Sequence, residues 1–242
     1  MKIMNITKTF VIVAFAAASV QSCDSQSGGL LGSAGALGTV QQILTASTNQ
    51  GFSVLGNTDS FLTNALIDAV IPENLKKINT NLQNLGLGSL VDKEKQYIGQ
   101  AAAASVTVAK PIVTQAIQEM TLSDAITIAT GGKGAATQYL KDKTQSKLIA
   151  AIQPQVDSQL QSSGITSLID NASKGTNLLN SIGSIFGKKQ TTSTDLSSSI
   201  SQYASEQIVN GLFEVSKDYE MKNANTAALG NIVNGVLSGN SK

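Results

Sequence analysis

The sequence predicts an all-α fold, a single-domain irregular bundle of about eight helical segments that follows a cleaved signal peptide. Three observations support this prediction. Apolar residues recur at steps of three and four along most of the chain, which is the spacing of one helix face. Sustained alternation of apolar and polar residues is absent, and aromatic residues make up only 4% of the chain. Helix-capping residues, glycines and prolines separate the periodic segments.

The first segment has the features of a secretory signal. A basic start, an apolar run at 10–18 and small residues before Cys23 are typical of a signal peptide over residues 1–22. The run is shorter than the roughly 20 residues that a membrane span needs. Its Val-Gln-Ser-Cys ending resembles a lipobox, and Cys23 is the only cysteine in the chain. We therefore expect a lipid on Cys23; the alternative is an ordinary secreted protein with a free thiol.

Residues 23–35 are rich in Ser and Gly and predict a flexible tether. Two or more acyl chains on Cys23 would hold the protein firmly at a membrane. We expect a lipid-anchored protein of the bacterial cell envelope with a mostly periplasmic helical domain at 36–242. The choice between inner and outer membrane stays open.

Three helical faces are predicted in the first part of the domain. Their apolar residues are Leu37, Val40, Ile43 and Leu44, then Phe61, Leu62, Leu66 and Val70, then Leu75, Ile78, Leu82 and Leu85. Pro72 suits the first position of the third helix, and Gly86 ends it. A long helix is predicted at about 89–120, and Pro111 is expected to kink or break it.

Thr121 and Asp124 form a capping-box variant that opens a short helix, which ends at Gly131 and Gly132. A further helix is predicted at about 135–160, with an interruption at Pro154. Its apolar residues, at steps of four, are Leu140, Leu148, Ile152, Val156 and Leu160. Two late helices follow. Their apolar residues are Ala204, Ile208, Leu212, Val215 and Tyr219 within 197–221, and Ala228, Ile232, Val233 and Val236 in a short final helix.

Residues 171–199 are rich in Ser, Thr, Gly and Lys, which predicts a low-complexity insertion. Within it, residues 178–186 could form a short amphipathic element that touches lipid or a partner. The alternative is a helical turn that covers the bundle.

Composition argues against several functions. Lys and Arg together number 17 against 16 Asp and Glu, all 17 cations are lysines, and the chain contains no Trp, so a nucleic-acid partner is not expected. There is no His, and the single Cys lies at the anchor, so nucleophilic catalysis and transition-metal binding lack their usual residues. We expect a protein that is not an enzyme and that has no metal or other cofactor.

Two patterns keep other interpretations open. The segment 131–134 (Gly-Gly-Lys-Gly) resembles part of a phosphate-binding loop, but it follows a helix and lacks the Ser or Thr after Lys, so a helix C-cap and turn fits better. A carboxylate-based hydrolase would need a pair of acidic side chains. The candidates are Glu94, Glu119, Asp124, Glu214, Asp218 and Glu220.

Several blocks of the chain resemble the bacterial domain-of-unknown-function family 4197, over roughly residues 51–237. The blocks are 85–91, 109–112, 120–125 with Gly131 and Gly132, 135–144, and 211–213 with Glu220. The resemblance implies a helical periplasmic domain, and it implies no activity, cofactor or catalytic residue. This chain lacks the arginines expected near the C-terminal helix of such proteins.

If the block at 120–144 forms a site, its polar candidates are Asp124, Thr137, Tyr139 and Lys143. The structural alternative is that Asp124 caps a helix, Tyr139 fills the edge of the core and Lys143 is solvated.

Two functional hypotheses remain besides the hydrolase. The first is a binding module that holds a small apolar or amphipathic ligand between helices. The second is a membrane-associated scaffold that binds another envelope protein. A cavity of a few hundred Å³ would favour the first, and a solid core with an exposed apolar patch would favour the second.

Overall fold

The computed structural model describes residues 30–164 and 192–223, with the isolated positions 167 and 171. This part of the chain contains helices and no strand, which confirms the all-α prediction. The helices are α1 (Leu30–Leu55), α2 (Thr58–Thr63), α3 (Ala65–Ala69), α4 (Glu73–Asn84), α5 (Gly88–Gln118), α6 (Leu122–Thr130), α7 (Ala135–Ser162) and α8 (Ser193–Asn223).

Helix α8 is the central element of the bundle. It packs against α1, α3, α4, α5 and α7, and α5 also packs along α7. Its buried residues include serines as well as large apolar side chains. Ser205 and Ser216 donate hydrogen bonds to the carbonyl oxygens four residues earlier, at 2.8 and 2.7 Å, so these small polar groups are satisfied within the helix.

Helices α1 and α8 approach each other closely at Gly51. A Cβ atom placed there would lie 2.6 Å from Ser216 Oγ and 2.9 Å from the backbone oxygen of Leu212. Gly211 makes a similar approach to Ile67, with 3.0 Å between its Cβ position and the Ile67 side chain. The bundle is therefore tight around α8, because glycine allows neighbouring helices to approach at both positions.

The predicted apolar faces form the core. Most of the largest fully buried side chains are residues that the three- and four-residue spacing predicts to be buried. They are Leu44, Leu55, Ile67, Leu75, Ile78, Leu82, Leu140, Leu148, Ile152 and Phe213.

The predicted break at Pro111 and the predicted interruption at Pro154 are wrong, whereas the kink at Pro111 stays a prediction. Helix α5 continues through Pro111 and α7 continues through Pro154. Each proline is exposed, and so is the residue four positions earlier, Thr107 and Ala150 respectively. Each proline removes the hydrogen bond to that residue's carbonyl, but the carbonyl lies on the solvent side where water can satisfy it.

Several predicted boundaries differ from the observed ones. Helix α1 begins at Leu30, so the last residues of the predicted tether at 23–35 are helical. The predicted face at 61–70 is divided between α2 and α3 by Asn64, whose side chain accepts a 3.0 Å hydrogen bond from the Leu66 amide and caps α3.

Helix α8 begins at Ser193, so the end of the predicted insertion at 171–199 is also helical. Pro72 lies one position before α4 rather than inside its first turn. The signal peptide at 1–22, Cys23, the element at 178–186 and the final helix around 228–236 lie outside the described residues.

Candidate functional site

The predicted polar residues Asp124, Tyr139 and Lys143 lie together where α6 begins beside α7. Asp124 Oδ2 accepts hydrogen bonds from the backbone amide and hydroxyl of Thr121, at 2.9 and 2.6 Å. The Thr121 hydroxyl in turn accepts from the Asp124 amide at 3.2 Å, which completes the predicted capping box. The Lys143 ammonium lies 5.6 Å from the centroid of the Tyr139 ring, within cation–π range.

The electrostatics of this cluster follow from the same contacts. Hydrogen bonds from Thr121 lower the pKa of Asp124, with smaller contributions from Tyr139 and Lys143. Burial raises the pKa of Tyr139 to about 12, and its hydrogen bond with Asp124 adds to the rise. Asp124 is therefore ionised and Tyr139 protonated around neutral pH. The cluster links α6 to α7. Asp124 caps α6, Tyr139 packs at the edge of the core and Lys143 is exposed, as the structural alternative describes.

Thr137, the fourth predicted residue, is buried at 1% exposure and lies apart from this surface cluster. Its hydroxyl has no hydrogen-bond partner, but its backbone amide donates to Glu220 Oε2 at 2.8 Å. The amide of Ala136 donates to Glu220 Oε1 at 3.2 Å. Glu220 is 2% exposed, so a buried carboxylate from the end of α8 caps the first turn of α7.

The Gly-Gly-Lys-Gly segment is a turn. The Gly131 amide bonds to the Ile128 carbonyl at the end of α6, and Gly132 and Gly134 adopt φ of 83° and 84°. The Lys217 side chain passes 3.1 Å from the Cβ position of Gly134. Glycine is required here for left-handed backbone and for close packing, which confirms the C-cap and turn interpretation.

Two further acidic residues that were candidates for paired-carboxylate chemistry make contacts within or beside their own helix. Glu119 accepts a 2.7 Å hydrogen bond from Gln115, and Asp218 forms a 2.7 Å ion pair with Lys222. No group of three or more His, Cys, Asp or Glu side chains within the described residues is arranged to hold a metal ion.

An open groove between α1 and the last turns of α8 has a volume of about 790 Å³. It is lined by Gly38, Thr39, Gln41, Gln42, Ile43, Thr45, Ala46, Asn49, Tyr219, Glu220 and Asn223. Ile43, Ala46 and the Tyr219 ring offer apolar surface, whereas Gln42 and Asn49 are exposed amides. Glu220 both lines this groove and caps α7, so the groove wall is tied to the bundle.

The groove was missed at the sequence level. Its α1 residues lie on a different side of the helix from the buried positions, and most of them are polar. In the sequence they therefore have the pattern of a solvated helix face. Only the arrangement of α1 beside the end of α8 turns that face into one wall of a groove.

None of the helices in the described part of the chain is both long enough and apolar enough to cross a membrane.

A family model described as "Protein of unknown function (DUF4197)" matches residues 31–225 of this chain. Comparison with curated proteins and with solved structures gave no significant match.

Proposed function

The chain belongs to the DUF4197 family, and we propose that it is a lipid-anchored protein of the bacterial envelope whose helical domain binds an amphipathic ligand without catalysing a reaction. The observation that carries the proposal is the α1/α8 groove, since pockets of about 300–1,000 Å³ are the size that holds small molecules.

The anchoring part of the proposal rests on the sequence. Cys23 follows a signal-like segment and has no second cysteine to pair with. Helix α1 begins at Leu30, so the connection from Cys23 spans at most about 25 Å when fully extended. A groove built on α1 would then lie close to the lipid surface, where amphipathic molecules are concentrated.

The surface of the groove suits a ligand with an apolar body and a polar end. Ile43, Ala46 and Tyr219 can pack against hydrocarbon, and Gln42 and Asn49 can exchange hydrogen bonds with a headgroup. Glu220 lies at the same wall, but both of its oxygens already accept hydrogen bonds from α7. Its role is to position the groove rather than to transfer protons.

The distribution of exposed apolar side chains favours this function over a scaffold. Within the described residues, the large exposed apolar side chains are Leu62, Leu85, Leu122 and Met221. Each lies on a different segment of the chain, so none of the described helices presents a row of large apolar side chains to solvent, as a helix of a docking surface would.

Native mass spectrometry of the mature protein, extracted from its own host in mild detergent, tests the proposal. We expect a reproducible extra mass, and we expect Ala46→Trp to reduce its abundance because the indole occupies part of the groove. Ala104→Trp is the matched control, since Ala104 is also an exposed helical alanine but lies outside the groove. A clean ligand-free mass for the unmodified chain, or an extra mass that is as abundant in Ala46→Trp as in Ala104→Trp, would contradict the proposal.

A further inference from the structure

Helix α1, which forms one wall of the α1/α8 groove, carries no ionisable side chain. The uncharged stretch extends beyond the helix, because residues 25–58 contain no Asp, Glu, Lys or Arg. Charged residues make up 14% of the whole chain, so this wall differs from the rest of the molecule. Its exposed polar residues, which include Gln42, Thr45 and Asn49, are all neutral.

The α8 wall adds one carboxylate to the groove and no cation. Among the described residues that line the groove, Glu220 is the only Asp, Glu, Lys or Arg. The nearby lysines of α8 are engaged elsewhere, since Lys217 packs beside Gly134 and Lys222 forms a 2.7 Å ion pair with Asp218. An anionic group in the groove would therefore meet a negative charge and no positive one, which makes its desolvation unfavourable.

The free polar groups of the groove are suited to hydroxyl groups. The side-chain amides of Gln42 and Asn49 form no hydrogen bond with another described residue, and neither does the Tyr219 hydroxyl. An amide offers both a donor and an acceptor, and a phenol does the same. A ligand hydroxyl also donates and accepts, so an uncharged headgroup with several hydroxyls can satisfy these groups without introducing a charge.

The length of the groove matches one acyl chain. Its α1 wall extends from Gly38 to Asn49, which is about 16 Å at 1.5 Å per residue. One leaflet of the hydrocarbon core of a bilayer is about 15 Å thick, half of the whole core. Ile43, Ala46 and the Tyr219 ring supply apolar surface along this length. An extended acyl chain of a membrane lipid therefore fits along α1.

The volume of the groove favours one chain over two. An engineered cavity of about 150 Å³ holds the six carbons of benzene, so a palmitoyl chain needs about 400 Å³ on the same scale. The groove of about 790 Å³ has room for one such chain and a small headgroup. Two chains would fill it and leave no space for the headgroup.

We propose that the α1/α8 groove binds a single-chain lipid with an uncharged, hydroxylated headgroup, as in a monoacylglycerol, and rejects an anionic lipid with the same chain. The inference rests on the proposed function, because it names the chemical class of the amphipathic ligand. The acyl chain lies along α1, and the headgroup hydroxyls form hydrogen bonds with the free amides of the groove.

Native mass spectrometry of the full-length mature protein in an amine-oxide detergent tests the inference with three palmitoyl probes at equal concentration. Monopalmitoylglycerol and palmitoyl lysophosphatidic acid share the chain and the glycerol and differ in the phosphate, whereas methyl palmitate lacks hydroxyls and charge. We expect the monopalmitoylglycerol adduct to be at least about tenfold more abundant than the lysophosphatidic acid adduct. It should exceed the methyl palmitate adduct at least about threefold.

Variants that add a cation to the groove should reverse the preference. Gln42→Lys and Asn49→Lys each place an ammonium group on an exposed position of the α1 wall, where a lysine does not disturb the core. At least one of them should raise the abundance of the lysophosphatidic acid adduct about tenfold, and the larger effect marks the headgroup end. Gln50→Lys is the matched control, since Gln50 is exposed on α1 outside the groove.

The outcomes separate this inference from the proposed function. If none of the three palmitoyl probes gave an adduct, both would be overturned. Equal abundance of the monopalmitoylglycerol adduct and either of the other two would overturn only the headgroup inference, and the groove would remain a site for amphiphiles in general. The headgroup inference would also fail if Gln42→Lys and Asn49→Lys changed lysophosphatidic acid binding no more than Gln50→Lys.

Discussion

Replacing Glu94 with glutamine should raise the stability of the domain, relative to that of the unmodified chain, progressively as the pH rises. The carboxyl is buried without a hydrogen-bond partner, and its pKa rises from 4.5 in the unfolded chain to about 8 in the fold. Between these two pH values the folded state holds a proton that the unfolded state has released. Stability is therefore fully present below pH 4.5 and is lost progressively as the pH rises through 8.

The magnitude follows from the size of the pKa shift. Each pH unit in this window costs about 1.4 kcal/mol, which gives about 3 kcal/mol near pH 7 and about 5 kcal/mol above pH 8. Glutamine does not titrate, so Glu94→Gln should remove this pH-dependent loss. Any cost of burying the glutamine amide is independent of pH and shifts the whole curve without changing its slope.

Urea unfolding at about pH 5, 7 and 9 measures the effect. Relative to the unmodified chain, Glu94→Gln should gain about 4 kcal/mol of unfolding free energy between pH 5 and pH 9. Glu119→Gln serves as the control because Glu119, which directly follows α5, is exposed to solvent. Parallel stability curves for the unmodified chain and Glu94→Gln would refute the reasoning, because they would show that Glu94 titrates in the fold as it does in the unfolded chain.

Two further predictions follow from single contacts, and a third follows from the sequence around Cys23. Glu220→Ala should lower the free energy of unfolding by about 3 kcal/mol, because it leaves two buried backbone amides of α7 unpaired. The control, Asp218→Asn, should change it by less than about 0.5 kcal/mol in the same urea experiment. Equal effects of the two substitutions would contradict the capping role of Glu220. Gly51→Ala should lower the free energy of unfolding by about 1–3 kcal/mol, because its Cβ atom would lie 2.6 Å from the Ser216 side-chain oxygen. Gly35→Ala, whose Cβ atom would meet no neighbour, should not destabilise the domain in the same thermal or urea experiment. An unchanged stability of Gly51→Ala would refute the close approach of α1 and α8. Cys23→Ser should move the protein from the membrane fraction to the soluble fraction and abolish labelling by an alkyne fatty acid, and unchanged membrane association would exclude the lipid anchor.

The helices and their buried faces were predictable because their signals are local. Leu140, Leu148 and Ile152 recur at multiples of four along α7, and all three are fully buried. The capping box of Thr121 and Asp124 was predictable for the same reason, since its two members are three residues apart. Patterns within one or two helical turns carry this information without any knowledge of the tertiary contacts.

The effect of the two internal prolines was not predictable in this way. Whether a proline breaks a helix depends on whether the carbonyl that it leaves unpaired faces solvent or the core. The sequence shows that Pro111 and Pro154 stand within helical patterns, but it does not show on which side of the packed helix each one lies. Both lie on the exposed side, and the helices continue.

The residues that build the candidate sites depend on contacts between distant parts of the chain. Glu220 caps α7 through residues that lie 83 and 84 positions earlier. Gln207 lines a small cavity together with Ile67 of α3 and Ile98 of α5 only because α8 is surrounded by other helices. A polar residue on a central helix and a polar residue on a solvated helix have the same appearance in a sequence, because the number of neighbouring helices is a property of the tertiary fold.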